Sequence, residues 1–497
     1  MKAKALTTNF AINVIGAVVP LIVALATVPL YVRHIGEARY GVLALVIILL
    51  GYFGFLDLGL SRAAANILAK MRDAPHADRA RVLTTAFLLN LGFGTLGGLV
   101  IYFGGMFLLD RVVSVPQALK PEIASSFPWI AVLFPMALLH GVAIGVLESR
   151  ERFLAANLLQ VAGGSIGQII PVMVAVLVSP SLAIVIPAAA VSRGLAVLAV
   201  LAFVYREEQP LNLTAFDRTE ARKLLGYGGW VSVSSIVMPL LTTLDQMLVG
   251  ALLGVAAVAH YVVPMNLVVR SQVFAAALAR TLFPRLSHFG AVDARELTVR
   301  SITTLAFGYG AICAPALLVA SPFLKLWIGE EFAAISAPVA QILFPGAWIN
   351  GISFVLFTLL QGQGRPDLVA KIHAVQLVPF VGAIWYATQH YGLTGVAVVW
   401  TVRCVVDAVM LVVVARLPYR RFAWFPLAAI GFIIPFAIAR WSMLTDWELF
   451  GTAVLVGLAW VAMAFVFSQD LRAGFAIVLA RLSAGAQPDA PTAGKTE

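Results

Sequence analysis

Polar residues punctuate this chain as short breaks between long apolar runs. Runs of about 20 apolar residues, the length that crosses the hydrocarbon core of a bilayer, recur near 9–32, 41–68, 82–109, 126–147, 154–178, 181–205, 225–251, 256–286, 300–323, 334–361, 368–389, 393–416, 423–440 and 448–468. The pattern predicts an all-α integral membrane protein of about fourteen transmembrane helices. The first run passes Ala-Leu-Ala at 24–26, which imitates the cleavage site of a signal peptide. It continues to Val32, too long for a signal-peptide core, and so reads as the first transmembrane helix.

The breaks between the runs give the orientation. With the N-terminus inside, 23 of the 34 Lys and Arg residues fall in cytoplasmic segments, among them Lys2, Lys4, Arg79, Arg81, Arg150, Arg218, Arg222, Arg300, Arg420 and Arg421. The outer segments hold Arg33, Arg39, Arg111, Lys120, Lys325 and Arg440. This asymmetry follows the positive-inside rule and supports the helix count, with both termini cytoplasmic.

The polar stretch REEQPLNLTAFDRTEARK, 206–223, divides the chain near its middle. The expected organisation is an N-terminal lobe, 1–205, a cytoplasmic linker, 206–224, a C-terminal lobe, 225–418, two appended helices within 419–470, and a cytoplasmic tail, 471–497, small and polar enough to be disordered. A loose internal repeat spans the linker. VVPLIVALATVPLYVRHIGEARYG, from residue 18, shares a Pro-Leu step, a later Gly and then a Tyr with VMPLLTTLDQMLVGALLGVAAVAHY, from residue 237. Transporters commonly carry their site at the interface of such repeats.

Composition agrees with a life in lipid: 61% of residues are hydrophobic and 12% charged, about half the charge of a soluble domain, and the mean hydropathy is +0.95. A net charge of +10 would suit nucleic acid if it formed one patch, but it is scattered among the breaks, so no nucleic-acid partner is expected. Cys313 and Cys404 both lie in apolar runs and imply no disulfide framework. The histidines include no pair at metal-ligand spacing. GGSIG at 163–167 has the form of a nucleophile elbow but sits mid-helix, where small residues serve helix packing. The chain is expected to be no enzyme and to need no cofactor or metal.

PLYVRHIGEARYGVLALVIILLGYFGFLDLGLSRA strongly resembles the opening of the polysaccharide-transporter, or O-antigen flippase, family of the multidrug/oligosaccharidyl-lipid/polysaccharide exporter superfamily. LLGYGGWVSVSSIVMPLLTTLDQMLVGALLG and LLQGQGRPDLVAKIHAVQLVPF, continued by YGLTGVAVVWTVRCVVDAVML, look like its later blocks, so the resemblance covers roughly residues 5–416. It implies two six-helix lobes around a central cavity and alternating access. The implied substrate is an undecaprenyl-diphosphate-linked oligosaccharide, carried from the inner to the outer leaflet of a bacterial inner membrane. Membrane lipids, a polysaccharide polymerase and glycosyltransferases are its implied partners. The alternatives are a cation-coupled multidrug exporter of the same superfamily and a non-transporting membrane partner of a polysaccharide-assembly complex.

Charges inside the apolar runs are the candidate chemistry, because each is costly there and marks a pathway or a partner. Arg270 and Arg193 fall near the bilayer midplane. Either they line a cationic cavity that grips a diphosphate through forked hydrogen bonds, or they are buried structural ions, Arg270 for instance paired with Asp245. Arg62 lies near the inner headgroups and either snorkels or recruits the diphosphate at an inward-open mouth. Arg280 is a further candidate, and Arg403 stands at i,i+4 from Asp407, spaced for a local pair. Asp57 lies about 140° round the helix from Arg62 and needs another partner. With no P-loop for ATP in the chain, export must draw on an ion gradient or the membrane potential. Asp57 and Asp245 are the candidate sites for an entering proton or Na+. Asn9 and Asn13 share a face of the first helix, which Pro20 and Pro29 interrupt, making that helix a candidate for bending during gating. Tyr52, Tyr261, Asn266, Gln272, Trp348 and Asn350 are softer candidates for sugar contacts.

Overall fold

The computed structural model describes residues 3–52, 57, 59–71, 74–111, 115–208 and 215–472, with side chains described for all of these except 3–18, 49–52, 108–111, 153, 207–208 and 226–242. The side chains of Asn9, Asn13 and Tyr52, and all but the first two residues of the expected tail, lie outside the described residues.

Among the described residues the chain is helix joined by short turns, without strands. The helices are α1 (Ala3–Ile35), α2 (Glu37–Tyr52), α3 (Leu60–Lys70), α4 (His76–Arg111), α5 (Lys120–Ser149), α6 (Phe153–Leu177), α7 (Leu182–Glu208), α8 (Arg218–Leu252), α9 (Val255–Ser271), α10 (Val273–His288), α11 (Ala291–Trp327), α12 (Glu330–Gly362), α13 (Pro366–Val414), α14 (Phe425–Trp441) and α15 (Asp446–Phe467). Among the described residues, each of the fourteen runs read from the sequence falls largely on helix, and ten helical spans are long and apolar enough to cross a membrane.

Four runs differ in detail. Run 256–286 is two helices, because Gln272 (φ −69°, ψ −5°) interrupts the ladder between α9 and α10. Run 41–68 contains both α2 and α3. The two runs 368–389 and 393–416 form the single element α13, bent at Gly392, whose φ of +59° is open to glycine and costly for other residues. Local chemistry sets several ends. Asp217 caps α8 by accepting from the Thr219 and Glu220 amides at 2.7 and 3.2 Å. Thr445 and Glu448 form a reciprocal capping box at the start of α15.

The chain groups into two compact units: Met1–Asn266 with Leu324–Val339 and His373–Val399, and Leu267–Phe323 with Ala340–Ile372 and Trp400–Glu497. In the first, α3 is buried through Leu60, Ala63, Ala64 and Leu68 against Val82, Leu83 and Ala86 of α4 and Val142, Val146 and Leu147 of α5. Gly94 and Gly98 let α4 approach the backbone of α5 at Pro135 and Ala131, the small-residue packing of membrane helices. The second unit is organised by aromatic rings. Trp348 packs on Phe432 (4.8 Å between centroids) and donates its Nε1–H to the Ala306 carbonyl at 2.7 Å. Trp460 packs on Phe432 (5.2 Å) and Phe307 (5.9 Å).

Candidate functional site

Arg193 stands near the middle of the 27-residue α7, roughly 16 Å from its start at 1.5 Å per residue. It is half-buried, its stem passes Gly167 of α6, whose missing Cβ would lie 3.6 Å from the Arg193 Cγ, and His140 of α5 lies within its electrostatic range. No ion pair or hydrogen bond joins Arg193 to another described residue. Two groups able to carry positive charge thus share one place on α5 and α7, with no carboxylate among the described residues paired to Arg193. Such a place favours an anion. Sequence reasoning found Arg193 and passed over His140, whose only signal was a titratable side chain in an apolar run.

Arg270 occupies the last turn of α9, just before the break at Gln272. A guanidinium is favoured there by the exposed carbonyls of a helix C-terminus. The next residue, Ser271, bonds the Tyr309 hydroxyl at 2.6 Å, and the Gln272 side-chain nitrogen is buried with no hydrogen-bond partner among the described residues. Arg280 is exposed on α10, and Arg403 is half-buried on α13 one turn from the buried Asp407. Asp245 is fully buried on α8 and accepts the Tyr261 hydroxyl at 2.7 Å.

Asp57 finds its partner in its own chain segment. Its carboxylate accepts from the Ser61 amide at 3.1 Å and the Ser61 hydroxyl at 2.7 Å, covering the start of α3, while Arg62 points its side chain to an exposed position. Two softer candidates are committed to the core: Tyr261 to Asp245, and Trp348 (2% exposed) to the aromatic cluster. Asn266 is exposed.

A second concentration of polar contacts, unforeseen from the sequence, lies where α1 turns into α2 and α8 into α9. The turns are made by Gly36 (φ +81°) and Gly254 (φ +90°). The corners meet closely: a Cβ on Gly41 would overlap the Val255 carbonyl oxygen, and one on Gly250 would lie 3.0 Å from Leu45. His260 of α9 holds Glu37 of α2 at 3.0 Å through Nε2 and Ser336 of α12 at 2.9 Å through Nδ1, with the Phe332 ring 4.6 Å from its own. At the end of α1, Arg33 donates to the carbonyls of Ile328 (3.0 Å) and Trp327 (3.3 Å), and Trp327 Nε1 donates to the Leu25 carbonyl at 2.6 Å. Pro29 explains that last bond, since proline has no N–H to give to residue 25. The helix nevertheless runs unbroken through both Pro20 and Pro29.

These features define an all-helical membrane protein with charges held inside its apolar helices and a network tying helix ends together. The chain belongs to the polysaccharide biosynthesis protein family, whose profile matches residues 6–289, in agreement with the resemblance carried by its opening block. It is 27% identical over 405 residues to a Shigella flexneri protein named "Putative O-antigen transporter", covering 80% of this chain and 95% of that one. It is 23% identical over 403 residues to the lipopolysaccharide biosynthesis protein WzxC of Escherichia coli (strain K12), covering 77% and 75%. Among solved structures, the lipid II flippase MurJ in an inward closed conformation superposes with a TM-score of 0.70 at 12% identity, over 92% of this chain and 98% of that one. An inward-facing multidrug resistance MATE family transporter of the MOP superfamily gives 0.66 at 17% identity, over 82% and 99%. The fold is therefore the one these transporters share.

Proposed function

We propose that this protein is a flippase that turns a diphosphate-linked oligosaccharide lipid, an O-antigen or exopolysaccharide repeat unit, from the inner to the outer leaflet of a bacterial inner membrane. The observation that carries the reading is Arg193, mid-helix and half-buried, beside His140 and without a carboxylate partner among the described residues. A guanidinium kept in an apolar helix at that cost is accounted for by an anion that visits it. The polysaccharide biosynthesis family and the O-antigen transporter relative support a glycan cargo, and the lipid diphosphate that the sequence resemblance implies for that cargo is an anion of the right kind. Arg270, Arg62, Arg280 and Arg403 are the further candidates for the anion's path, through two six-helix lobes that alternate in access. The termini and the Arg-rich segments face the cytoplasm. The inside-negative potential assists the outward step, by about 2.3 kcal/mol per charge per 100 mV.

The test is flipping of a fluorescent lipid-diphosphate oligosaccharide in proteoliposomes. Arg193→Ala and Arg270→Ala should each lower the rate tenfold or more while the protein still inserts. The Lys variants should recover part of it, since a point charge replaces a fork. A rate in Arg193→Ala equal to that of the unaltered protein ends the diphosphate reading, and export of cationic drugs with no lipid flipping would favour the multidrug alternative.

A further inference from the structure

We propose that the turn between α13 and α14 binds an anionic phospholipid, whose phosphate is held by Arg416 and Arg420 at the membrane surface.

The backbone shows that Arg416 is kept at a cost. α13 closes in the Schellman arrangement, in which the Leu417 amide donates to the Val412 carbonyl at 3.2 Å and the Arg416 amide to the Val413 carbonyl at 3.0 Å. The residue after the cap is then left-handed, and glycine is its usual occupant because it has no Cβ to strain. Here that residue is Arg416, with φ +53°. The rest of the motif is in place, since Leu417 is buried and Pro418 stops the helix. An arginine could repay the strain by donating to the last carbonyls of α13. The Arg416 side chain is exposed instead, with no hydrogen bond to another described residue.

The surrounding charges leave a cationic surplus. The start of α11, the α13–α14 turn and the end of α15 meet at this place. Arg421 of the turn pairs with Glu296 of α11 at 3.4 Å, Arg300 of α11 pairs with Asp470 beyond α15, and the Thr304 and Ser468 hydroxyls share a hydrogen bond of 2.8 Å. Together these segments carry six arginines, Arg295, Arg300, Arg416, Arg420, Arg421 and Arg472, against three carboxylates, Asp293, Glu296 and Asp470, an excess of three positive charges. The two ion pairs engage Arg421 and Arg300. Arg420, like Arg416, is exposed and has no acidic partner among the described residues.

The place of the turn selects a lipid. It joins two helical spans apolar enough to cross a membrane, so it lies where headgroup phosphates are always present, and anionic leaflets attract arginines at such helix ends. A guanidinium fork matches a phosphate. The Cα atoms of Arg416 and Arg420 could stand no more than roughly 14 Å apart on an extended chain. The turn is tighter than that, with the Arg421 amide bonded to the Pro418 carbonyl at 3.0 Å. Tyr419, 75% exposed between the two arginines, is a residue type that settles at headgroup depth. The inference goes beyond the transport reading and takes from it only the orientation: the cytoplasmic leaflet supplies the lipid.

The experiment uses the purified full chain in neutral detergent without cargo, titrated with short-chain phosphatidylglycerol or phosphatidylcholine while Tm is read. Phosphatidylglycerol should raise Tm saturably, and phosphatidylcholine should not. Arg416→Gly suits the left-handed position better, so its lipid-free Tm should match or exceed the parent's. It should nevertheless need about fivefold more phosphatidylglycerol for half the effect, the worth of one arginine at an anionic surface. Arg420→Gln should shift the titration similarly, and Arg206→Gln, which removes an equal charge from the linker segment, should not. Equal action of the two lipids, a parent-like titration in Arg416→Gly or Arg420→Gln, or an equal shift in Arg206→Gln overturns the proposal. Should Arg416→Gly fail to insert, Arg420→Gln decides alone. A short-chain prenyl diphosphate that displaces phosphatidylglycerol at lower concentration would also overturn it, making the turn a cargo site. Because no flipping is measured, failure of the transport reading leaves this result standing.

Discussion

The indole of Trp327 donates to the Leu25 carbonyl at 2.6 Å, and that carbonyl is available because residue 29, which would otherwise bond to it, is proline. A defect in one helix is thus satisfied by a side chain 302 residues away in sequence, which makes the α1 proline a fastening point.

Trp327→Phe keeps the ring and removes the donor. An unmet buried carbonyl costs about 1–3 kcal/mol, so the fastened state should lose at least about fivefold in population. Maleimide labelling of a Thr27→Cys reporter, buried beside this contact, should quicken accordingly. Adding Pro29→Ala restores a helical N–H to Leu25 and should suppress the effect. Independent, additive effects of the two substitutions would refute the link between them.

Gly41→Ala tests the close approach of the two corners. The new methyl would overlap the Val255 carbonyl oxygen, a backbone atom that cannot rotate away. The expected cost is about 1–3 kcal/mol, read as a lower Tm in detergent and faster labelling at Thr27→Cys. Gly36→Ala is strained for a different reason, its positive φ, and a Tm loss confined to Gly36→Ala would show that the approach at Gly41 is unimportant.

Asp217 offers a pH prediction outside the membrane-spanning helices. Its hydrogen bonds from the Thr219 and Glu220 amides hold its carboxyl below the usual carboxylate range. With the folded pKa depressed, the stabilisation is present above the ordinary Asp pKa and is lost as pH falls through the folded value. Hydrogen exchange at Thr219 and Glu220 should therefore quicken on acidification in the unaltered protein. In Asp217→Ala it should be fast throughout, once corrected for the intrinsic pH dependence of exchange. Equal protection in both proteins at neutral pH would disprove the capping role.

Orientation is checked by reporter fusions. Those after Arg79, Arg218 and Arg421 should report cytoplasm and one after Lys120 the outside. An outer-side signal at Arg218 would break the arrangement of six helices before the linker.

The helices were legible because a membrane span is a local property: twenty apolar residues announce themselves wherever they occur. The break at Gln272 was not, since one polar residue among Arg270, Ser271 and Gln272 carries no sign that the ladder stops there. The spacing of Asp57 from Arg62 called for another partner without naming it, and that partner is Ser61, four residues on. Arg193 could be picked out as a charge in an apolar run, while His140 needed the packing of α5 on α7 to bring it near. The contacts of His260 span 223 residues to Glu37 and 76 to Ser336, and in the sequence Glu37 is one polar residue in the break between the first two runs. Long-range pairing of this kind has no signature in a single sequence. Tyr261 and Trp348 erred the other way, being aromatic residues suited to sugars that the core has already taken.

Trp460, 1% exposed, fits the space left by two glycines: a Cβ on Gly310 would overlap its ring, and one on Gly431 would lie 2.8 Å from it. In evolutionary terms this makes α14 and α15 easy to lose and hard to revise. Acyl chains are as apolar as the aromatic face the two helices cover, so a lineage that dropped the whole pair would leave Phe307 and Trp348 in tolerable surroundings. A lineage that kept the pair could not enlarge residue 310 or 431 without also shrinking residue 460, so the three positions are bound to change together or stay as they are.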